Sequence, residues 1–174
     1  MRPTRLLLIS FLASAGVFVA VPADAAACAT GWGSTPEVVA SMGTGEVDAV
    51  RVGREVCWDR VVVDIDGPVG WYRAEYVEQV TADGSGAVVP TPGGSRLQFV
   101  VHHPAQSLGV NVGQPVAAVA GFATLRSVVY AGSFEGMTTF GVGTRARLPF
   151  RVFTLAGPGG HARMVLDVAH RWTA

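Results

Sequence analysis

Lysine occurs nowhere in the 174 residues, so every fixed cation is an arginine. That absence excludes a phosphate loop of the G-x-x-x-x-G-K-[ST] kind, which needs lysine to reach the phosphates. We read it as a preference for GC-rich codons. Its chemical consequence is that planar guanidinium forks favour two-point contacts with carboxylates. An excess of either charge is also lacking. Taking Arg2 and Arg5 from 13 basic residues, and Asp24 from 13 acidic ones, leaves 11 against 12 once a leader is removed. Such a balance gives no overall attraction to nucleic acid or anionic lipid. Long apolar runs are missing too: the longest, Leu6 to Val21, falls short of the ~20 residues of a spanning helix. No serine sits in G-x-S-x-G, and neither H-E-x-x-H nor EF-hand spacing occurs.

What is present begins with an export signal. Arg2 and Arg5 precede the apolar run, and Ala23-Asp24-Ala25 and Ala25-Ala26-Ala27 are cleavage sites before Ala26 and Cys28. Residues 1–27 are read as a signal peptide and 28–174 as one domain. The expected location is extracytoplasmic, secreted or associated with the cell wall. Cys28 and Cys57 are an even pair in an oxidising compartment, which predicts a disulfide. The alternative is a lipid on Cys28, although no leucine stands three residues before it.

Beyond residue 47 the apolar residues alternate with period two, and glycine and proline punctuate them. Predicted strands are Asp48–Val52, Trp58–Asp66, Trp71–Thr81, Arg96–His103, Leu125–Phe134, Met137–Arg145, Phe150–Leu155 and Ala162–His170. Ser34 to Met42 can hold one short helix, with Pro36 in its first turn. Pro104–Gly121 reads as a long loop with room for a strand at Val116–Ala120. The fold class is all-β, an antiparallel sandwich of about eight or more strands. Two strands share the pattern Arg-x-Val-x-Asp, at Arg60–Asp64 and Arg163–Asp167. Alternation sends Val61, Val63, Ile65, Met164, Leu166 and Val168 inward, and turns their neighbours outward as cross-strand ion pairs or as a charged surface that meets a polymer.

CWDRVVVDIDGPVGWYRAEYVEQVTADGSGAVVP, AGSFEGMTTFGVGTRARLPFRV and RMVLDVAHRW resemble the AMIN-like domain of secreted actinobacterial proteins. The Arg-x-Val-x-Asp strands are similar, more weakly, to the AMIN domain, a β-sandwich found beside cell-wall amidases. The resemblance implies a non-catalytic localisation or binding module whose partner is peptidoglycan or an envelope protein. It supplies no catalytic positions and no cofactor.

Candidate contacts concentrate in one tract: Arg126, Glu135, Thr138, Thr139, Arg145 and Arg147. Arg145 and Arg147 share parity and can fork onto carboxylates, including those of wall peptides. Internal pairing of these arginines would keep them for folding alone. The four histidines would need to converge from different strands to hold a metal, and no metal site is predicted. Trp71 and Tyr72 offer either a stacking platform or a core lid. The alternative functions are a small extracellular hydrolase, with Glu78 and Glu135 as one conceivable carboxylate pair, and a barrel-type carrier with a cavity lined by Phe99, Tyr130, Phe140 and Phe153.

Overall fold

The computed structural model describes residues 28–173. The segment expected to be a signal peptide lies outside the described residues. Eleven strands form: β1 (Glu37–Val39), β2 (Glu46–Arg54), β3 (Trp58–Asp66), β4 (Tyr72–Val77), β5 (Val80–Thr81), β6 (Val88–Val89), β7 (Ser95–Val101), β8 (Leu125–Phe134), β9 (Met137–Thr144), β10 (Phe150–Ala156) and β11 (Ala162–Ala169). They build an antiparallel sandwich. One sheet has the order β1-β4-β7-β9-β8 and the other β10-β11-β3-β2, while β5 and β6 form a separate two-stranded ribbon.

The period-two reading of the two Arg-x-Val-x-Asp strands places the core. Val61, Val63, Ile65, Met164, Leu166 and Val168 are all fully buried. They pack against Leu97, Phe99, Phe140 and Val142 of the facing sheet. Each such side chain contributes about 1.5–3 kcal/mol on leaving water. The outward-turned neighbours divide. Arg60, Val62, Asp64 and Arg163 are half-buried and Asp66 is exposed, but Val165 and Asp167 are buried. Their burial corrects the expectation of an exposed outer face. Asp167 accepts from Arg60 on one side and Arg151 on the other, so two guanidiniums cover it.

Two local expectations are also corrected. The segment expected to hold a helix forms strand β1 instead, pairing Glu37 with Ala74 and Val39 with Tyr72. Two adjacent valines suit an edge strand, and Glu37 Oε2 accepts from the Val152 amide across the sandwich edge at 2.7 Å. Val116–Ala120 contains no strand. A single bridge joins Pro115 to Val129, and the Val116 amide donates to Val128. This loop lies along β8 and covers part of its free edge. The Trp71–Thr81 stretch divides into β4 and β5.

Candidate functional site: the arginine-rich end of the sandwich

Strand direction decides which side chains gather. β2, β4, β9 and β11 finish at the end of the sandwich where β3, β7, β8 and β10 start. Arg54, Arg96, Arg126, Arg145, Arg147 and Arg171 all lie at that end. The arginines paired with carboxylates among the described residues are Arg51, Arg60, Arg73 and Arg151, so none of those six has a carboxylate partner. Acidic residues are in excess at the other end, where Glu46 and Asp66 face each other across β2 and β3, Asp48 follows, and Glu135 stands in the β8–β9 turn, although Glu55 and Glu78 stand at the arginine-rich end and Arg163 at the acidic one. A chain of balanced charge therefore has a basic end and an acidic end.

The fixation of Arg147 is the most complete. Its Nε donates to Ser34 Oγ at 3.1 Å and its Nη2 to the Ser34 carbonyl at 2.9 Å. Its guanidinium carbon stands 5.1 Å from the centre of the Tyr76 ring. Tyr76 is held in turn, since its hydroxyl donates to the Leu148 carbonyl and accepts from the Leu148 amide, both at 2.9 Å. Burial pushes the Tyr76 hydroxyl above its ordinary value of 10, so the ring under Arg147 stays neutral. Arg145 donates through Nη2 to the His170 carbonyl. The Trp172 indole N–H donates to the Arg147 carbonyl at 2.9 Å, and the ring remains 55% exposed. The segment from His170 to Trp172 thus runs along Arg145–Arg147 and carries the exposed Arg171.

Of the residues singled out in the sequence, Arg126, Arg145 and Arg147 come to this one end. Arg126 donates to the carbonyls of Phe122, Ala123 and Leu125 and closes its own loop. Glu135, Thr138 and Thr139 lie at the opposite end. Glu135 and Gly136 form the hairpin turn, both with positive φ as a type I′ turn requires. Thr138 and Thr139 are buried; they donate to the His103 carbonyl at 2.7 Å and to Asp83 Oδ2 at 2.5 Å. Arg54, Tyr76, Arg96, Arg171 and Trp172 were missed, and Glu78 was weighed only as a partner of Glu135, because period two reveals the face of a strand and not which strand ends meet.

A cleft of about 280 Å³ opens at this end, lined by Tyr76, Val77, Glu78, Gly94, Ser95, Arg96 and Arg147. Glu78 and Arg96 also line a neighbouring cleft of about 440 Å³ beside Val88–Pro92. The side chains of Arg96 and Glu78 make no hydrogen bond or ion pair among the described residues.

The outer face of the four-stranded sheet is the other notable arrangement. Arg60 meets Asp167 at 2.6 Å, and Arg151 meets it at 2.9 Å. Arg151 lies over Trp32 at 4.3 Å, Phe153 at 4.7 Å and Trp58 at 5.4 Å. The Cys28–Cys57 disulfide ties down the segment that carries Trp32. These charges and rings satisfy one another.

Other groupings weighed in the sequence separate in space. Glu78 and Glu135 stand near opposite ends of β9, eight residues and so about 25 Å apart, whereas a glycosidase pair needs ~5–9.5 Å. Among the histidines, His103 is buried, accepting from the Gly70 amide at Nε2 (2.7 Å) and facing the Gly45 carbonyl at Nδ1 (3.3 Å). His170 meets Asp59 at 3.0 Å, His161 lies 3.6 Å from Asp66, and His102 is exposed. Tyr72 is a core lid, edge-on to Phe99. Phe99 and Phe140 are fully buried in the core, with Tyr130 6.3 Å from Phe140, while Phe153 sits outside under Arg151. The four aromatics therefore line no shared cavity. The glycines of β9 admit the protein's own loop: a Cβ on Gly143 would stand 1.9 Å from the Pro92 carbonyl oxygen.

A family model for the AMIN-like domain matches residues 45–170. No curated protein matches the chain.

Proposed function

The chain belongs to the AMIN-like domain family, and from that membership we propose an exported, non-catalytic binding module that holds an anionic polymer of the cell wall at its arginine-rich end. The observation that carries this reading is the set of guanidiniums without carboxylate partners at one end of an otherwise balanced chain. Arg145 and Arg147 are the anion-directed contacts inherited from the sequence, and Arg96 and Arg171 extend them. Hydrogen bonds to backbone and serine oxygens hold Arg145 and Arg147 without neutralising them, so their charge remains available. A disulfide-closed N-terminus fits an oxidising compartment. Wall peptides bear carboxylates that arginine forks recognise.

The test is retention of the purified exported protein by insoluble wall sacculi across salt concentrations. Wild type is expected to sediment with sacculi and to release as salt rises, since exposed charges are screened beyond ~8–10 Å near physiological ionic strength. The variant Arg145→Ala with Arg147→Ala is expected to lose retention while its melting temperature stays within a few degrees. Wild type that never sediments, or a folded double variant that sediments as before, refutes the proposal.

A further inference from the structure

Resting on the reading of this end as a wall-binding surface, we infer that the cleft among Tyr76, Glu78, Arg96 and Arg147 receives a zwitterionic group, an amino-acid-like end that bears both a carboxylate and an ammonium. The cleft holds both signs of charge held apart. Arg96 and Arg147 border it, and Glu78 borders it too, yet Glu78 lies beyond ion-pair distance of either arginine. Of the five N–H groups of a guanidinium, Arg147 uses two on Ser34, leaving an edge for a carboxylate. Arg96 uses none within the described residues.

Charge alone would suit any anion. Glu78 makes the difference, because an unpaired carboxylate in the same cleft repels a plain anion and attracts an ammonium beside it. A dipolar ligand satisfies all three groups at once. Size agrees: about 280 Å³ lies just under the ~300–1,000 Å³ usual for sites that enclose whole small ligands. The cleft thus accommodates the tip of a larger chain. Arg147 is also orientated in advance by Ser34 and the Tyr76 ring, which lowers the ordering cost of binding.

The experiment is an NMR titration of the isotope-labelled exported protein, with the amides of Val77, Gly94 and Ser95 as reporters. The probes are alanine, N-acetylalanine, which keeps the carboxylate and loses the ammonium, and ethylamine, which keeps only the ammonium. Alanine is expected to bind about three- to fivefold more tightly than N-acetylalanine, the range of one exposed ion pair. In Glu78→Gln that preference should vanish, and in Arg96→Gln both carboxylate probes should weaken. Equal or tighter binding of N-acetylalanine by wild type overturns the inference in favour of a simple anion site. Absence of reporter shifts with every probe overturns it as well. Selective alanine binding by a protein that sacculi do not retain supports the cleft and refutes the wall proposal alone.

Discussion

Asp167 is a fully buried charge at the centre of the outer-face network, and its replacement by asparagine gives a quantitative test of that network. The carboxylate has no exposed surface, although its strand position points it away from the core. Two arginines cover it, with four N–H contacts between 2.6 and 3.0 Å. Removing one partner of a buried pair costs about 3–5 kcal/mol, because the remaining charge is left without compensation. Arg60 and Arg151 keep 24% and 38% of their side-chain exposure, so water solvates part of what is freed. We therefore expect about 2–4 kcal/mol for Asp167→Asn, a fall of about 5–15 °C in melting temperature for a domain of this size. Asp64→Asn is the control. Its partner Arg51 binds both oxygens at 2.6 Å but is 57% exposed, so the expected loss is below about 1 kcal/mol. Differential scanning calorimetry on both variants decides the matter. Equal shifts would refute the reasoning, as would a shift under ~2 °C for Asp167→Asn. Replacing Arg60, Arg151 and Asp167 together by methionine and leucine should restore most of the loss, because that cluster then holds no buried charge.

Core position predicts that Leu166→Ala costs about 2–5 kcal/mol in urea unfolding, against less than about 1 for the half-buried Arg163→Ala; similar losses would mean the β11 faces are reversed. Cys57→Ser opens a loop of 29 residues, worth about 3–4 kcal/mol in the chain-entropy model, and should alter tryptophan fluorescence as Trp32 leaves Arg151 and Trp58. Non-reducing intact mass about two units below the reduced value checks that the bond forms on export. Burial holds the His103 imidazole below its ordinary value of 6.5. The unfolded chain therefore takes up protons first, and the stability owed to His103 is complete above about pH 6.5 and is lost as pH falls through the folded-state value. Urea midpoints measured down this range should decline in wild type and flatten in His103→Gln. Glu37, raised above 4.5 by burial, acts in the opposite sense: its contribution is present at low pH and lost as pH rises through its folded value.

The sandwich was legible because its information is local. Strand β3 appears with the bounds that alternation assigns, since a strand with one buried face writes its period directly into the chain; β8 also keeps its assigned bounds, although it is buried on both faces. β1 was read as a helix because Ser34 and Pro36 form a plausible helix start; what makes it a strand is β4, contributed by residues more than thirty positions away. Asp167 looked solvated for the same reason. Alternation turned it outward, and the registers of β3 and β10 on either side of β11, placing Arg60 and Arg151 opposite it, bury it again. The candidate site depends still more on distant partners. Arg96 lies far along the sequence from Arg145 and Arg147, which are neighbours of like parity, yet β7 and β9 pair so that Ser95 faces Thr144, which sets Arg96 beside the β9–β10 connection. Glu135, Thr138 and Thr139 belong to the same tract as Arg145, yet the length of β9 carries them to the far end. Proximity in the chain was therefore the wrong measure for grouping these residues. In a sheet, strand length separates residues of one hairpin while register joins residues of different ones, so a charge distribution that cancels along the sequence can still divide into two poles in space.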